Sequence, residues 1–134
     1  MHPSIADFPN RAFYGNVLQP VPLPHQSEPA AETARGNDRV EDMLLTHRLA
    51  FVSCDPYLGP DEADKVNSAE AETIAAVAVT ARRMAGDTYD ATTTIGVIVP
   101  YRNQIATVRA AIDKAAHAAG FDDMHDIAID TVER

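Results

Sequence analysis

At 134 residues, with 46% hydrophobic and 23% charged side chains, the chain has the size and composition of one soluble globular domain. A net charge of −9 repels phosphate backbones at long range and weighs against nucleic-acid binding unless basic side chains gather locally. No apolar run approaches the ~18–20 residues that span a bilayer. The N-terminus has neither the basic nor the apolar region of a secretory signal, and a single cysteine, Cys54, excludes an internal disulfide. The expectation is a cytoplasmic protein with no membrane partner.

In chain order, Pro3 and Ser4 suit a helix start, and Ile5, Phe8, Ala12 and Phe13 can share one face. Pro9 removes a backbone hydrogen bond inside that pattern and predicts a kink or two short helices, with Gly15 and Asn16 as the stop. Residues 17–38 carry Pro20, Pro22, Pro24 and Pro29 and read as a proline-rich loop excursion. Residues 40–46 suit a short helix or turn, and residues 49–53 read as a first strand. Residues 55–65 form another loop.

Asn67 with Glu70 three residues on has the form of a capping box and starts a helix. Ile74, Ala78, Ala81 and Ala85, widened by Val77 and Met84, mark its buried stripe, and Gly86 with Asp87 ends it. The β-branched residues of 92–99 predict a strand whose part 94–99, apolar on both faces, lies inside a parallel sheet. Residues 49–53 and 127–131 are its expected neighbours. A helix over 101–119 follows, with Ile105, Val108 and Ile112 on one face and Gly120 as cap. Residues 126–132 then read as a last strand. A strand-to-helix junction such as 95–104 (Ile-Gly-Val-Ile-Val-Pro-Tyr-Arg-Asn-Gln) is where ligands sit in open α/β sheets.

Several chemistry-bearing words have weak context. Asp61-Glu62-Ala63-Asp64 spells a helicase tetrapeptide, but Leu58-Gly59-Pro60 before it cannot be the buried strand that tetrapeptide needs, so it reads as solvated loop. No G-x-x-x-x-G-K-[ST] occurs, which excludes P-loop binding of ATP by these residues alone. Histidines 2, 25, 47, 117 and 125 lack metal-ligand spacing, and Cys54 has no second thiol nearby. Arg82, Arg83, Arg102, Arg109 and Lys114 fall in the second half, where a local basic patch could form.

Several segments, in order, carry a resemblance. Residues 1–15 (Met-His-Pro-Ser-Ile-Ala-Asp-Phe-Pro-Asn-Arg-Ala-Phe-Tyr-Gly) resemble the helix after motif IV of superfamily 1 helicases of the Upf-like branch. Asn67-Ser68-Ala69-Glu70-Ala71 resembles the start of their next conserved helix, residues 95–104 are similar to their Pro-Tyr-x-x-Gln segment, and residues 129–134 look like the opening of motif V. The resemblance implies a RecA-like second motor domain of an ATP-dependent DNA or RNA helicase, covering 1–134 as a single partial domain. Relatives place Gln-Tyr-Arg just before Met-His-Pro and continue past the Thr-Val segment, so both motifs are expected here only in part.

The resemblance further implies ATP and Mg2+ as cofactors of the complete protein, bound with an N-terminal RecA-like domain that supplies the P-loop, and single-stranded DNA or RNA as partner. Tyr101, Gln104 and Thr131 are the candidate nucleic-acid contacts, and no catalytic or metal residue is assigned. For Tyr101 and Gln104 the structural alternative, a ring packed across the sheet edge and an amide capping the helix, stands equally open. Thr131 could also be no more than a turn former. Arg102 reads as surface. The rival reading of the whole chain is a non-catalytic remnant or interaction module that keeps the fold.

Overall fold

The computed structural model describes residues 2–19, 21, 23, 24, 35–54 and 66–132. The tetrapeptide 61–64, His25 and most of the prolines of the 17–38 excursion lie outside the described residues. The chain divides into two compact units, Met1–Val52 and Ser53–Arg134.

The first unit holds α1 (Pro3–Phe13) and α2 (Arg39–Thr46), neither with a fully buried residue. Contrary to the expected kink, α1 is one uninterrupted helix with Pro9 inside it. The proline deletes one donor, and in an exposed helix water can serve the carbonyl left over. The ends are strongly held. His2 Nδ1 accepts from the Ser4 amide at 3.2 Å, and left-handed Gly15 and Asn16 close the other end. Asn10 then clasps the departing chain, its amide donating to the Leu18 carbonyl and accepting from the Leu18 N–H at 3.2 and 3.0 Å. Asp38 caps α2 through the Val40 and Glu41 amides, both at 2.9 Å. Gly36 before it is obligatory, because a Cβ there would fall 2.6 Å from the Glu41 Cβ and 2.7 Å from the Asp42 nitrogen.

The second unit is α/β, with order α3 (Ser68–Ala85), a 3-10 turn (Gly86–Thr88), β1 (Gly96–Val99), α4 (Arg102–Ala119) and β2 (Ala128–Thr131). Asn67 caps α3, its Oδ1 accepting from the Glu70 amide at 3.0 Å as the Asn67/Glu70 spacing predicts, while the Asn67 N–H, which a capping box would give to Glu70, donates to Gln104 Oε1 at 2.8 Å. The buried stripe of α3 is Ala71, Ala75 and Ala78. That differs from the expected stripe, which shares only Ala78 with it and runs on through Ala81 and Ala85. The facing stripe of α4 is Gln104, Val108, Ile112 and Ala116. Val99, Met124 and Ile127 complete the core.

Gly120, at φ +80°, ends α4 in a Schellman turn: its N–H donates to the His117 carbonyl at 3.1 Å and the Phe121 N–H to Ala116 at 2.9 Å. β1 and β2 pair in parallel with Val97 opposite Ile129 and Val99 opposite Thr131.

Two expectations about the sheet are corrected. Among the described residues β1 pairs with β2 alone. Residues 49–53 form no strand, and the Phe51 side chain is 94% exposed. Strand 94–99 is therefore not interior with both faces covered. Alternate residues Val97 and Val99 turn toward the core, while Ile98 is 71% exposed on the other face. Its first half is also shorter than the β-branched run suggests. The Asp90 carboxylate accepts from the Thr92 amide at 2.8 Å and the Thr92 hydroxyl at 2.6 Å, and the Thr94 hydroxyl accepts from the Asp90 N–H at 2.9 Å. The hydroxyls of 92–94 thus close a turn before the strand begins.

Candidate nucleic-acid interface

A parallel pair places both strand ends on one edge, so the register Val99↔Thr131 brings the exits of β1 and β2 side by side. Pro100 has no amide donor and ends the ladder. Tyr101 follows in extended backbone at φ −133° and ψ 139°, as the N-cap residue of α4. Its ring is 47% exposed. Thr131 is half-buried opposite, its N–H donating to the Asp130 carboxylate at 2.8 Å. Tyr101 makes no side-chain cap hydrogen bond to the first turn of α4, whereas Asp38 and Asn67 cap α2 and α3. The first amides of that helix point toward the same edge, where they favour negative charge. Arg102, exposed, opens the helix beside them.

Gln104 stands apart from this group. It is 2% exposed, and its amide is engaged at both ends: Oε1 accepts from the Asn67 N–H at 2.8 Å and Nε2 donates to the Asn67 carbonyl at 2.8 Å. Of the three sequence candidates, Thr131 is the register partner of Val99 at the strand ends, and Tyr101 follows Val99 by two residues. Gln104 faces inward and, rather than capping its own helix, pairs with the backbone of Asn67.

The basic side chains of this half do not all gather. Arg82 is held by Asp123, its Nε 3.0 Å from each carboxylate oxygen, and its guanidinium lies 4.5 Å from the Tyr89 ring centre and 4.8 Å from that of Phe121. Its hydrogen bond to Asp123 raises the Arg82 pKa and holds the Asp123 carboxyl below the usual range. Burial, with the nearby Asp123 charge adding to it, pushes the Tyr89 phenol up. Arg109 donates to the carbonyls of His125 and Ile127 and so fixes the chain entering β2. Composition cannot separate such internally used arginines from ligand-facing ones. The partners lie 41 residues away for Arg82 and 16 to 18 for Arg109, so spacing gives no sign of them.

The sequence has no phosphate-cradling G-x-x-x-x-G-K-[ST], and among the described residues no group of three His, Cys, Asp or Glu side chains could hold a metal ion. Among the described residues no helix is long and apolar enough to cross a membrane.

A family model described as an AAA domain matches residues 1–134, the full length of the sequence. No curated protein and no solved structure matches the chain. The α/β layering, with helices flanking a parallel strand pair, is consistent with a RecA-like AAA fold. With the match covering every residue, the chain belongs to the AAA domain family.

Proposed function

We propose that this chain is the nucleic-acid-contacting part of the second motor domain of an ATP-dependent helicase, and that it meets single-stranded DNA or RNA along the shared exit of β1 and β2. The observation that supports the reading is the Val99↔Thr131 register, which pairs the exits of β1 and β2 just before the half-exposed Tyr101 at the N-cap of α4. An aromatic face offers stacking to any base, and a hydroxyl with helix-start amides suits a phosphate. The resemblance of residues 95–104 and 129–134 to the helicase words supports the same edge. ATP and Mg2+ are, in this reading, bound with a P-loop-bearing N-terminal RecA-like domain, and no step of hydrolysis is assigned to these residues.

With a net charge of −9 opposing approach, affinity should be no better than the ~10⁻⁴ to 10⁻⁶ M of non-specific complexes and should fade as salt rises. The test is fluorescence anisotropy with a labelled oligonucleotide at low salt. Tyr101→Ala is expected to weaken binding by about 1–3 kcal/mol, and Arg35→Ala, on an exposed residue of the other unit, to change nothing. Equal affinity of wild type and Tyr101→Ala would remove the edge from consideration.

A further inference from the structure

Gln104 is gripped from both sides. Its main-chain N–H donates to the Tyr101 carbonyl at 3.0 Å, and its buried amide pairs with the backbone N–H and carbonyl of Asn67, 37 residues earlier, in the manner of a strand pairing with its neighbour. Nε2 also lies 3.4 Å from Glu70 Oε2. Asn67 is itself fixed, because its side chain caps α3 and its carbonyl accepts from the Ala71 N–H at 3.1 Å. One side chain thereby joins the first turn of α4 to the first turn of α3.

We propose that Gln104 is a positioning residue for the strand-end site: it holds Tyr101 at the edge by locking the start of α4 to the α3 N-cap, and does not touch the nucleic acid. This rests on the reading of that edge as a single-strand contact. A side chain that must accept from an N–H and donate to a carbonyl at one residue has to be a primary amide. Methionine matches glutamine in length but leaves both Asn67 groups unpaired by it, which frees the turn carrying Tyr101 to shift. A 1 Å displacement is enough to spoil a stacking contact.

Wild type, Gln104→Met, Tyr101→Ala and the double variant are titrated with a labelled oligothymidylate at low salt, each below its own melting transition and checked by circular dichroism. Gln104→Met is expected to weaken binding about tenfold, within the range of a lost stacking platform. In the Tyr101→Ala background it should weaken binding hardly further, because the two act through one ring. A purely structural Gln104 would lower the melting temperature and leave affinity unchanged, and a direct contact would weaken binding equally in both backgrounds. Either result overturns the proposal.

Should Gln104→Met fail to fold, Gln104→Glu replaces it. Its carboxylate cannot donate to the Asn67 carbonyl and sits against Glu70, but its protonated form can donate. Affinity should be low at pH 7 and recover at pH 5 in the Tyr101 background, and recover no more than the parent in the Tyr101→Ala background. Recovery in both would reduce the effect to charge and overturn the positioning role. Absence of any binding by wild type removes the edge reading itself, and the positioning role falls with it.

Discussion

Arg82 and Asp123 tie the end of α3 to the turn before β2, Nη2 lying 2.7 Å from Oδ2 while the guanidinium is sandwiched by Tyr89 and Phe121. The contact has a definite pH signature. The Asp123 carboxyl is held low in the folded chain, first by its hydrogen bond from Arg82, so it favours folding at pH values above the unfolded carboxylate range. That contribution is lost as pH falls through the lower folded value. Asp90, held low first by the Thr92 hydroxyl, adds in the same direction. Asp123→Asn should melt below wild type at pH 7, and the gap should close in strong acid. A gap that persists in acid would mean that the charge plays no part.

The two neighbours Ile98 and Val99 are expected to respond oppositely to the same change. Ile98 is 71% exposed and Val99 is 1% exposed. Val99→Asp buries a carboxylate with no partner at a cost of several kcal/mol and should unfold the unit, whereas Ile98→Asp should keep its fold and melt within a few degrees of wild type. Thermal melts of the pair decide it, and loss of folding in Ile98→Asp would show that the outer sheet face is covered after all.

Glycines 120 and 96 make a second contrasting pair. No atom lies within 4 Å of a Cβ built on either, but Gly120 has φ +80° and Gly96 does not need the left-handed region. Gly120→Ala should cost about 1–2 kcal/mol from backbone conformation alone. Gly96→Ala, in a strand, should be neutral or stabilising by up to ~1 kcal/mol through the unfolded state. Urea melts with unchanged slope would measure both.

Purified chain is expected to release no phosphate from ATP, with or without oligonucleotide. Phosphoryl transfer depends on positioning and charge around the transferred group, and these residues supply no P-loop to provide them. Turnover that a point change within this chain abolishes would overturn both this expectation and the assignment of ATP binding to another domain.

Elements written in local chemistry were legible. The Asn67/Glu70 cap and Gly86 bracket α3 to within a residue, and Gly120 marks the end of α4. Residues 49–53 misled, because an apolar run fits a strand only when something pairs with it, and the run itself does not name a partner. Thr92 and Thr94 misled for a related reason, since β-branched residues favour strands but their hydroxyls close turns equally well beside Asp90. At the site, the pairing of the two strand exits followed from parallel order alone. The fate of Gln104 could not, because its partner is the backbone of a residue whose side chain already has a job, and main-chain groups carry no sequence signature.

The parallel pairing of β1 with β2 also sets an order on synthesis. Val97 and Val99 leave the ribosome well before Ile129 and Thr131, their register partners, with all of α4 made in between. Helix α4 can form on local hydrogen bonds as it emerges, but the ladder edge of β1 must wait. A chain stalled in that interval carries an open strand beside an exposed Ile98, the kind of edge that pairs with its own copies. Until β2 is made, β1 has no ladder partner among the described residues.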